Sequence, residues 1–211
     1  MAYTPTTQQR YPFLEYRTKV WLEIIHYISR DCPNVEHLLE LGPGYCDFIN
    51  HFPAAQKSCV DRNESMMHYA TPGVRFMCED AGQLSAIADS SLDLVFASNF
   101  LEHLGEEEHG ILLPNIHRAL SATGRLVLIQ PNYRLNPDHY FDDPTHRTIF
   151  SDLNIAAFLE RFSFKVIKLI PRFLPFSMKT RLPKWPILVR LYLASPVRPF
   201  AGQMYIIAQK R

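Results

Sequence analysis

The sequence predicts an α/β protein with a Rossmann-like, seven-stranded, mostly parallel sheet and helices on both faces. Three observations predict it. Short apolar runs of strand length alternate with stretches of helical period, the pattern of a parallel sheet covered on both sides. The first apolar run, 35–41, ends on Glu40-Leu41 and enters the glycine turn Gly42-Pro43-Gly44. A second acid, Asp61, closes the next apolar run, Ser58-Cys59-Val60. It lies about 20 residues on, where such folds bind a ribose hydroxyl.

The elements follow in order. Residues 1–12 read as loose. The helix 16–30 carries Val20, Ile24, Tyr27 and Ile28 at helical spacing, and Asp31 to Pro33 end it. Strand one is 35–41, with glycines that let the chain turn tightly and a ligand approach the backbone. A short helix over 47–52 places its dipole end near that turn. Strand two is 57–61, a short helix spans 64–69, and strands three and four are 74–78 and 92–98. The helix 106–120 contains Pro114, expected to kink or restart it. Strand five is 124–130. A helix over 153–162 follows, with Ser151 or Asp152 as cap, then strand six, 164–170, and strand seven, 204–209. The division reads as an arm and leading helix (1–34), a core (35–170), and a basic tail with the last strand (171–211).

Composition fits a soluble globular protein of one domain, or one with an appendage: 211 residues, 47% hydrophobic and 20% charged. No long uncharged apolar run is present for a membrane span, and the polar N-terminus does not read as a secretory signal. Cys32, Cys46, Cys59 and Cys78 show no C-x-x-C spacing. They read as four buried thiols of a cytoplasmic protein.

The turn after strand one fails the dinucleotide fingerprint, because Asp47 stands where its third glycine belongs. An acid followed by spaced glycines resembles instead the first motif of class I S-adenosylmethionine-dependent methyltransferases, here with Cys46 at the family's usual third glycine. Further similarities follow in order over 16–130. Asp80, in Glu79-Asp80-Ala81, is similar to the acid that holds the adenine amino group. Strand four, ending Phe96-Ala97-Ser98 and continuing Asn99-Phe100-Leu101-Glu102-His103-Leu104, resembles the fourth motif, whose loop lies against the methionine part of the cofactor. Residues 122–129 match the turn and strand after the fifth helix. The resemblance implies S-adenosylmethionine as cofactor, held by Glu40, Gly42, Gly44, Asp61, Asp80, Ala81 and Ser98. It implies a small bacterial type of the domain, acting on a small-molecule, glycan-precursor or lipid-linked acceptor. Glu102 and His103 are read as structural, tying the loop to the next helix. Catalysis in such an enzyme is largely positioning, and a base is needed only if the nucleophile holds a proton.

The long loop after strand five is dense in titratable groups: Asp138, His139, Asp142, Asp143 and His146. Long loops at the carboxyl end of a central strand are commonly functional. His146 with Asp143 or Asp142 makes an oriented general base, and His139 is the second candidate. The same groups suit the capping of the next helix. They also include ligand types for a divalent ion, but without a recognisable ligand spacing no metal is assigned.

The net charge of +1 hides a division. Residues 161–211 hold 11 of the 22 basic side chains and none of the 21 acidic ones. Apolar and aromatic groups interleave with these cations. That pattern suits a lid over the acceptor pocket, peripheral contact with an anionic membrane surface, or a basic tail docked on an acidic body. Phe173, Phe176, Trp185 and Tyr192 also offer stacking platforms for single strands, although no Pro-Pro-aromatic motif of amino-methylating DNA enzymes follows strand four, so nucleic acid is disfavoured. The rival functions are an NAD-dependent oxidoreductase and a non-catalytic methyltransferase-like domain that binds an anionic surface or partner.

Overall fold

The computed structural model describes residues 16–175 and 185–211. The readings for residues 1–12 and for Phe176 lie outside the described residues. The order is α1 (Tyr16–Asp31), β1 (His37–Leu41), α2 (Asp47–His51), β2 (Gln56–Asp61), β3 (Val74–Cys78), β4 (Leu92–Ser98), α3 (Glu106–Ala119), β5 (Leu120–Pro131), α4 (Ile155–Glu160), β6 (Phe164–Pro175), α5 (Pro186–Ala194) and β7 (Ala201–Lys210). Short 3-10 turns lie at Glu64–Tyr69, Leu101–His103, Tyr133–Leu135 and Pro137–Asp142.

The seven strands form one sheet in the order β3-β2-β1-β4-β5-β7-β6. The first five are parallel, and β7 runs antiparallel to both β5 and β6. The order reverses between β1 and β4. The crevice at such a switch, outside the carboxyl ends of the strands, is where open α/β sheets bind ligands.

Alternation along the strands divides the core into two layers. Leu39, Leu41, Val95, Ala97, Leu126 and Leu128 face α3 and α4, packing with Leu112, Leu113, Ile116, Ile155 and Leu159. Leu38, Leu94, Phe96, Val127 and Ile129 face α1 and α2, packing with Val20, Ile24, Ile28, Phe48 and Ile49. Burial on both faces is why these strands read as near-continuous apolar runs. Glu40 shares the period of Leu38. It is therefore a carboxyl placed where the pattern calls for a core side chain.

The short helix expected over 64–69 is present at those bounds as a 3-10 helix, with the Asn63 side chain accepting from the Ser65 amide. Other expectations are corrected. Pro114 does not restart α3, which runs on through it, because Leu112, Leu113 and Ile116 on either side are held in the core. Neither Ser151 nor Asp152 is the N-cap of α4. Asn154 is, without a side-chain cap bond, while Asp152 accepts from Asn132 and Arg134. Strands β5, β6 and β7 all outrun their apolar cores, since ladder hydrogen bonds continue where hydrophobicity fades. Helix α5, inside the tail, was not foreseen. Three cysteines are buried, but Cys78 on the edge strand β3 is exposed. Among the described residues no helix is long and apolar enough to cross a membrane.

The charge division is partly internal. Arg161 pairs with Glu106, Lys168 with Asp31 (2.7 Å), Arg190 with Glu23 (2.8 Å) and Arg211 with Glu160. Four cations of the basic stretch 161–211 are thus paired with acids that precede it.

Candidate active site

Four strands end side by side at the switch point, and each delivers expected residues there. After β1 the chain turns through Gly42 at φ 61°, Gly44 at φ 51° and Cys46 at φ 58°. Cys46 adopts the left-handed conformation as the residue before α2. It stands at the usual third glycine and takes the strain that glycine would avoid. A Cβ on Gly44 would meet nothing within 4 Å, whereas one on Gly42 would strike the Phe100 ring. Gly44 therefore borders open space, and Gly42 is closed by the loop after β4.

Glu40 is buried under this turn and its Oε2 accepts from the Ile49 amide (2.9 Å). Burial holds its carboxyl well above the ordinary range, with Cys46, Asp47 and Asp61 adding in the same direction. A cationic ligand opposite would favour the ionised form. Asp47 is committed elsewhere, accepting from Arg17 (3.0 Å) and Thr18 (2.9 Å) of α1.

Asp61 ends β2, half-buried. Its Oδ1 accepts from the Asn63 amide (2.8 Å), and the Gly44 amide lies close enough to act on its charge. Burial raises its pKa and these amides oppose the rise. After β3, Asp80 accepts from the Gly82 amide (2.8 Å) and pairs with Arg62. The Gly82 amide is the main cause that lowers its pKa. Ala81 is buried beside it, and Ser98 closes β4, half-buried. Glu40, Gly42, Gly44, Asp61, Asp80, Ala81 and Ser98 thus share the carboxyl edge of β1, β2, β3 and β4. Arg62, which the sequence reading overlooked, stands between Asp80 and Glu108 (3.6 Å to the latter).

The loops after β4 and β5 are joined to each other. The Arg147 and Thr148 amides donate to the Glu102 carbonyl (2.8 and 3.1 Å), and Thr148 Oγ1 donates to the Leu104 carbonyl (2.7 Å). Arg147 lies over Gly105 and pairs with Glu108, whose carboxylate also caps α3 through the Gly105 amide. His109, buried and with its pKa lowered by that burial, bonds the Leu101 carbonyl (2.9 Å). On the far side Gln203 of β7 donates to Asn99 Oδ1 (2.6 Å).

This zipper places the titratable groups differently from the sequence reading. His146 Nδ1 donates to the Tyr140 carbonyl (2.6 Å), and its Nε2 lies 4.0 Å from Glu102 Oε1. Asp143 is given to Thr145, accepting from its amide (3.0 Å) and hydroxyl (2.6 Å). The carboxylate facing the His146 ring edge is Glu102, not Asp143 or Asp142. His139 pairs with Asp142 (2.9 Å) on the surface. Glu102 is fully buried and His146 nearly so, at 4% side-chain exposure, while His103 keeps 23%. His103 is therefore the member of this group most open to an incoming molecule. The sequence does show Glu102-His103, but nothing local ties it to His146, some forty residues away.

Residues 39–128 match the family model of a methyltransferase domain. A curated relative, trans-aconitate 2-methyltransferase of Variovorax paradoxus, is 27% identical over 146 residues, 66% of this chain. The chain spans about half (54%) of that relative's length. Solved structures share the fold. An Archaeoglobus fulgidus S-adenosylmethionine-dependent methyltransferase is 21% identical, with TM-score 0.66 over 90% of this chain and 93% of its own. A Thermotoga maritima S-adenosylmethionine-dependent methyltransferase is 17% identical, with TM-score 0.69 over 93% and 91%. A Mesorhizobium loti one is 16% identical, with TM-score 0.63 over 90% and 98%.

Proposed function

We propose that this chain, which carries a methyltransferase domain of the S-adenosylmethionine-dependent class, transfers the cofactor's methyl group to an oxygen of a small acceptor seated beside His103. The observation that supports it is the shared edge: Gly44, Asp61 and Asp80 lie at the carboxyl ends of the neighbouring strands β1, β2 and β3, and the Asn99–Leu104 loop runs from the glycine turn to the Glu102, His103 and His146 group. In this reading Asp61 accepts from the ribose diol. Asp80, steered by Arg62 and Gly82, faces the adenine. Glu40 meets the positive end of the cofactor through the turn. The rest is positioning of nucleophile, methyl and sulfur in line. His103 is the group that accepts a proton from an acceptor hydroxyl, and His146 holds the loop from behind.

Calorimetric titration with S-adenosylmethionine, S-adenosylhomocysteine and NADH tests the cofactor side. Micromolar binding of the first two, weakened at least about tenfold in Asp61→Ala, is expected, each bidentate or charge-assisted contact being worth on the order of 1.5–3 kcal/mol. Binding of NADH alone would sink the reading.

A second observation favours a lipid-linked acceptor. The tail returns to the sheet at the site's own edge, since Pro131 of β5 pairs with Gln203 near the start of β7. In the segment that leads back to it, Trp185 (70% exposed), Ile187, Leu191, Val197 (74%) and Phe200 (76%) each hold an apolar side chain in water. Helix α5 is anchored below by Leu193 and by Arg190 on Glu23. Exposed apolar side chains concentrated in one segment suit an interaction surface. Co-sedimentation with vesicles containing phosphatidylserine tests it. Binding lost in Trp185→Ser/Phe200→Ser supports a membrane-facing rim; equal partition of wild type and variant leaves the small soluble acceptor.

A further inference from the structure

We infer that Glu102, His103 and His146 bind one divalent first-row transition metal ion. The argument is geometric. His103 Nε2 lies 3.9 Å from Glu102 Oε1, and His146 Nε2 lies 4.0 Å from the same oxygen. All three ligand atoms fall within 4.8 Å of one another. These distances are too long for direct hydrogen bonds. They are close to the spacing of ligands around a single ion: with bonds of about 2.0–2.2 Å, neighbouring ligand atoms stand roughly 3.0–3.6 Å apart. Side-chain shifts on the order of 0.5 Å bring the three into that range.

The surroundings fix the chemistry of each ligand. His146 Nδ1 faces the Tyr140 carbonyl at 2.6 Å, so that nitrogen carries the proton and Nε2 presents its lone pair. His103 Nδ1 lies 2.9 Å from Thr145 Oγ1. Thr145 gives its own hydroxyl proton to Asp143 (2.6 Å), so it accepts from His103, and His103 Nε2 is also a lone-pair donor. Glu102 is oriented by Gln130, which in the amide orientation satisfying both ends donates to Glu102 Oε2 (2.6 Å) and accepts from the Leu101 amide (3.1 Å). Both imidazoles and the carboxylate thus turn ligating atoms on one point. Each is held from behind by the outer partner that metal-ligating groups characteristically have. Asp143, expected from the sequence to pair with His146, here supports His103 through Thr145.

Two imidazoles and one carboxylate suit zinc, iron, cobalt, nickel or manganese rather than calcium or magnesium, which take oxygen ligands. Three protein ligands leave coordination positions for a further group, as in catalytic sites. The part-exposed His103 marks the side from which it enters. In the methyl-transfer reading above, on which this use alone depends, that group is the acceptor oxygen; with the ion bound His103 serves as a ligand, and the ion's charge, in place of the His103 lone pair, lets the acceptor hydroxyl give its proton to water.

The test separates metal from cofactor. The full-length protein, stripped with chelator, is titrated calorimetrically with zinc and manganese salts, with cobalt followed by visible absorption, and in parallel with S-adenosylhomocysteine. One equivalent of at least one metal is expected. His103→Gln and His146→Gln should weaken it at least about 100-fold, and Thr145→Val about tenfold, the lower end for an outer-shell partner. His139→Ala, altering the surface pair, should leave it unchanged. Retained S-adenosylhomocysteine binding shows that each variant is folded. Should His146→Gln not fold, His103→Gln and Thr145→Val decide. The inference is overturned if the wild type binds none of the three metals, or if His103→Gln binds as well as wild type. Metal binding without S-adenosylhomocysteine binding would instead remove the functional reading and leave the metal site standing.

Discussion

A Cβ built on Gly42 would lie 2.6 Å from Cδ2 of Phe100, so the ring that follows β4 is seated on the turn that follows β1. The neighbouring Gly44 has the same positive φ and open space before it. The two glycines therefore do different work. Gly42→Ala meets both backbone strain and a clash. It should cost about 2–5 kcal/mol of stability, the sum of a left-handed penalty of about 1–2 kcal/mol and overpacking of about 1–3 kcal/mol. Gly44→Ala should cost only about 1–2 kcal/mol, yet place a methyl where the ligand approaches. Urea melts and S-adenosylhomocysteine titrations of both variants check this: the larger stability loss belongs to Gly42→Ala and the larger proportional affinity loss to Gly44→Ala.

Glu40 gives a pH dependence of definite sign. Burial keeps its proton on to higher pH in the folded chain than in the unfolded one. Between the two pKa values the folded state binds more protons, so this group makes stability fall as pH rises from about 4.3 through the raised value. Glutamine does not titrate and its carbonyl can still accept from the Ile49 amide. Glu40→Gln should therefore match the wild type most nearly in acid and gain on it toward neutral pH, while losing cofactor affinity. Parallel pH–stability curves for the two proteins would show that Glu40 is not the titrating group.

The two candidate histidines of the long loop should separate cleanly. His146 is buried against the Tyr140 ring (4.6 Å between centroids) and bonded to the Tyr140 carbonyl. His146→Ala should cost about 2–3 kcal/mol through a cavity and an orphaned carbonyl. His139 and Asp142 are both largely exposed, so His139→Ala should stay within about 0.5 kcal/mol. Thermal melts on the two variants read the difference.

Helix α5 should be part of the cooperative unit. Leu193 is its buried anchor in the layer that holds Val20, Ile24 and Tyr205. Leu193→Ala should lower stability by about 2–3 kcal/mol in one unchanged two-state transition. A wild-type-like midpoint would mean that α5 detaches before the sheet unfolds.

How much was legible depends on the range of the interaction. Leu92–Ser98 appears at its expected bounds, because a strand buried on both faces writes its limits into local hydrophobicity; the edge strand Val74–Cys78 also appears at its expected bounds. The acids at the carboxyl ends of β1, β2 and β3 were legible for a related reason. They terminate such runs, and a parallel sheet brings its carboxyl ends to one edge. Helix α5 was hidden because prolines surround it and its outer face is apolar, which blurs a helical period.

The sequence by itself determined the parallel sheet, its glycine turn and the edge at which a cofactor is read. Each follows from periodicity and backbone freedom over a few neighbouring residues. Only the tertiary structure decided that Glu102, rather than Asp143, faces His146, that Asp143 serves His103 through Thr145, and that Lys168 and Arg190 neutralise Asp31 and Glu23. Those are side-chain pairings across 40 to 170 positions. Hydrogen bonds and charges choose partners by distance in space, and the folding of the loop after β5 onto the loop after β4 sets those distances.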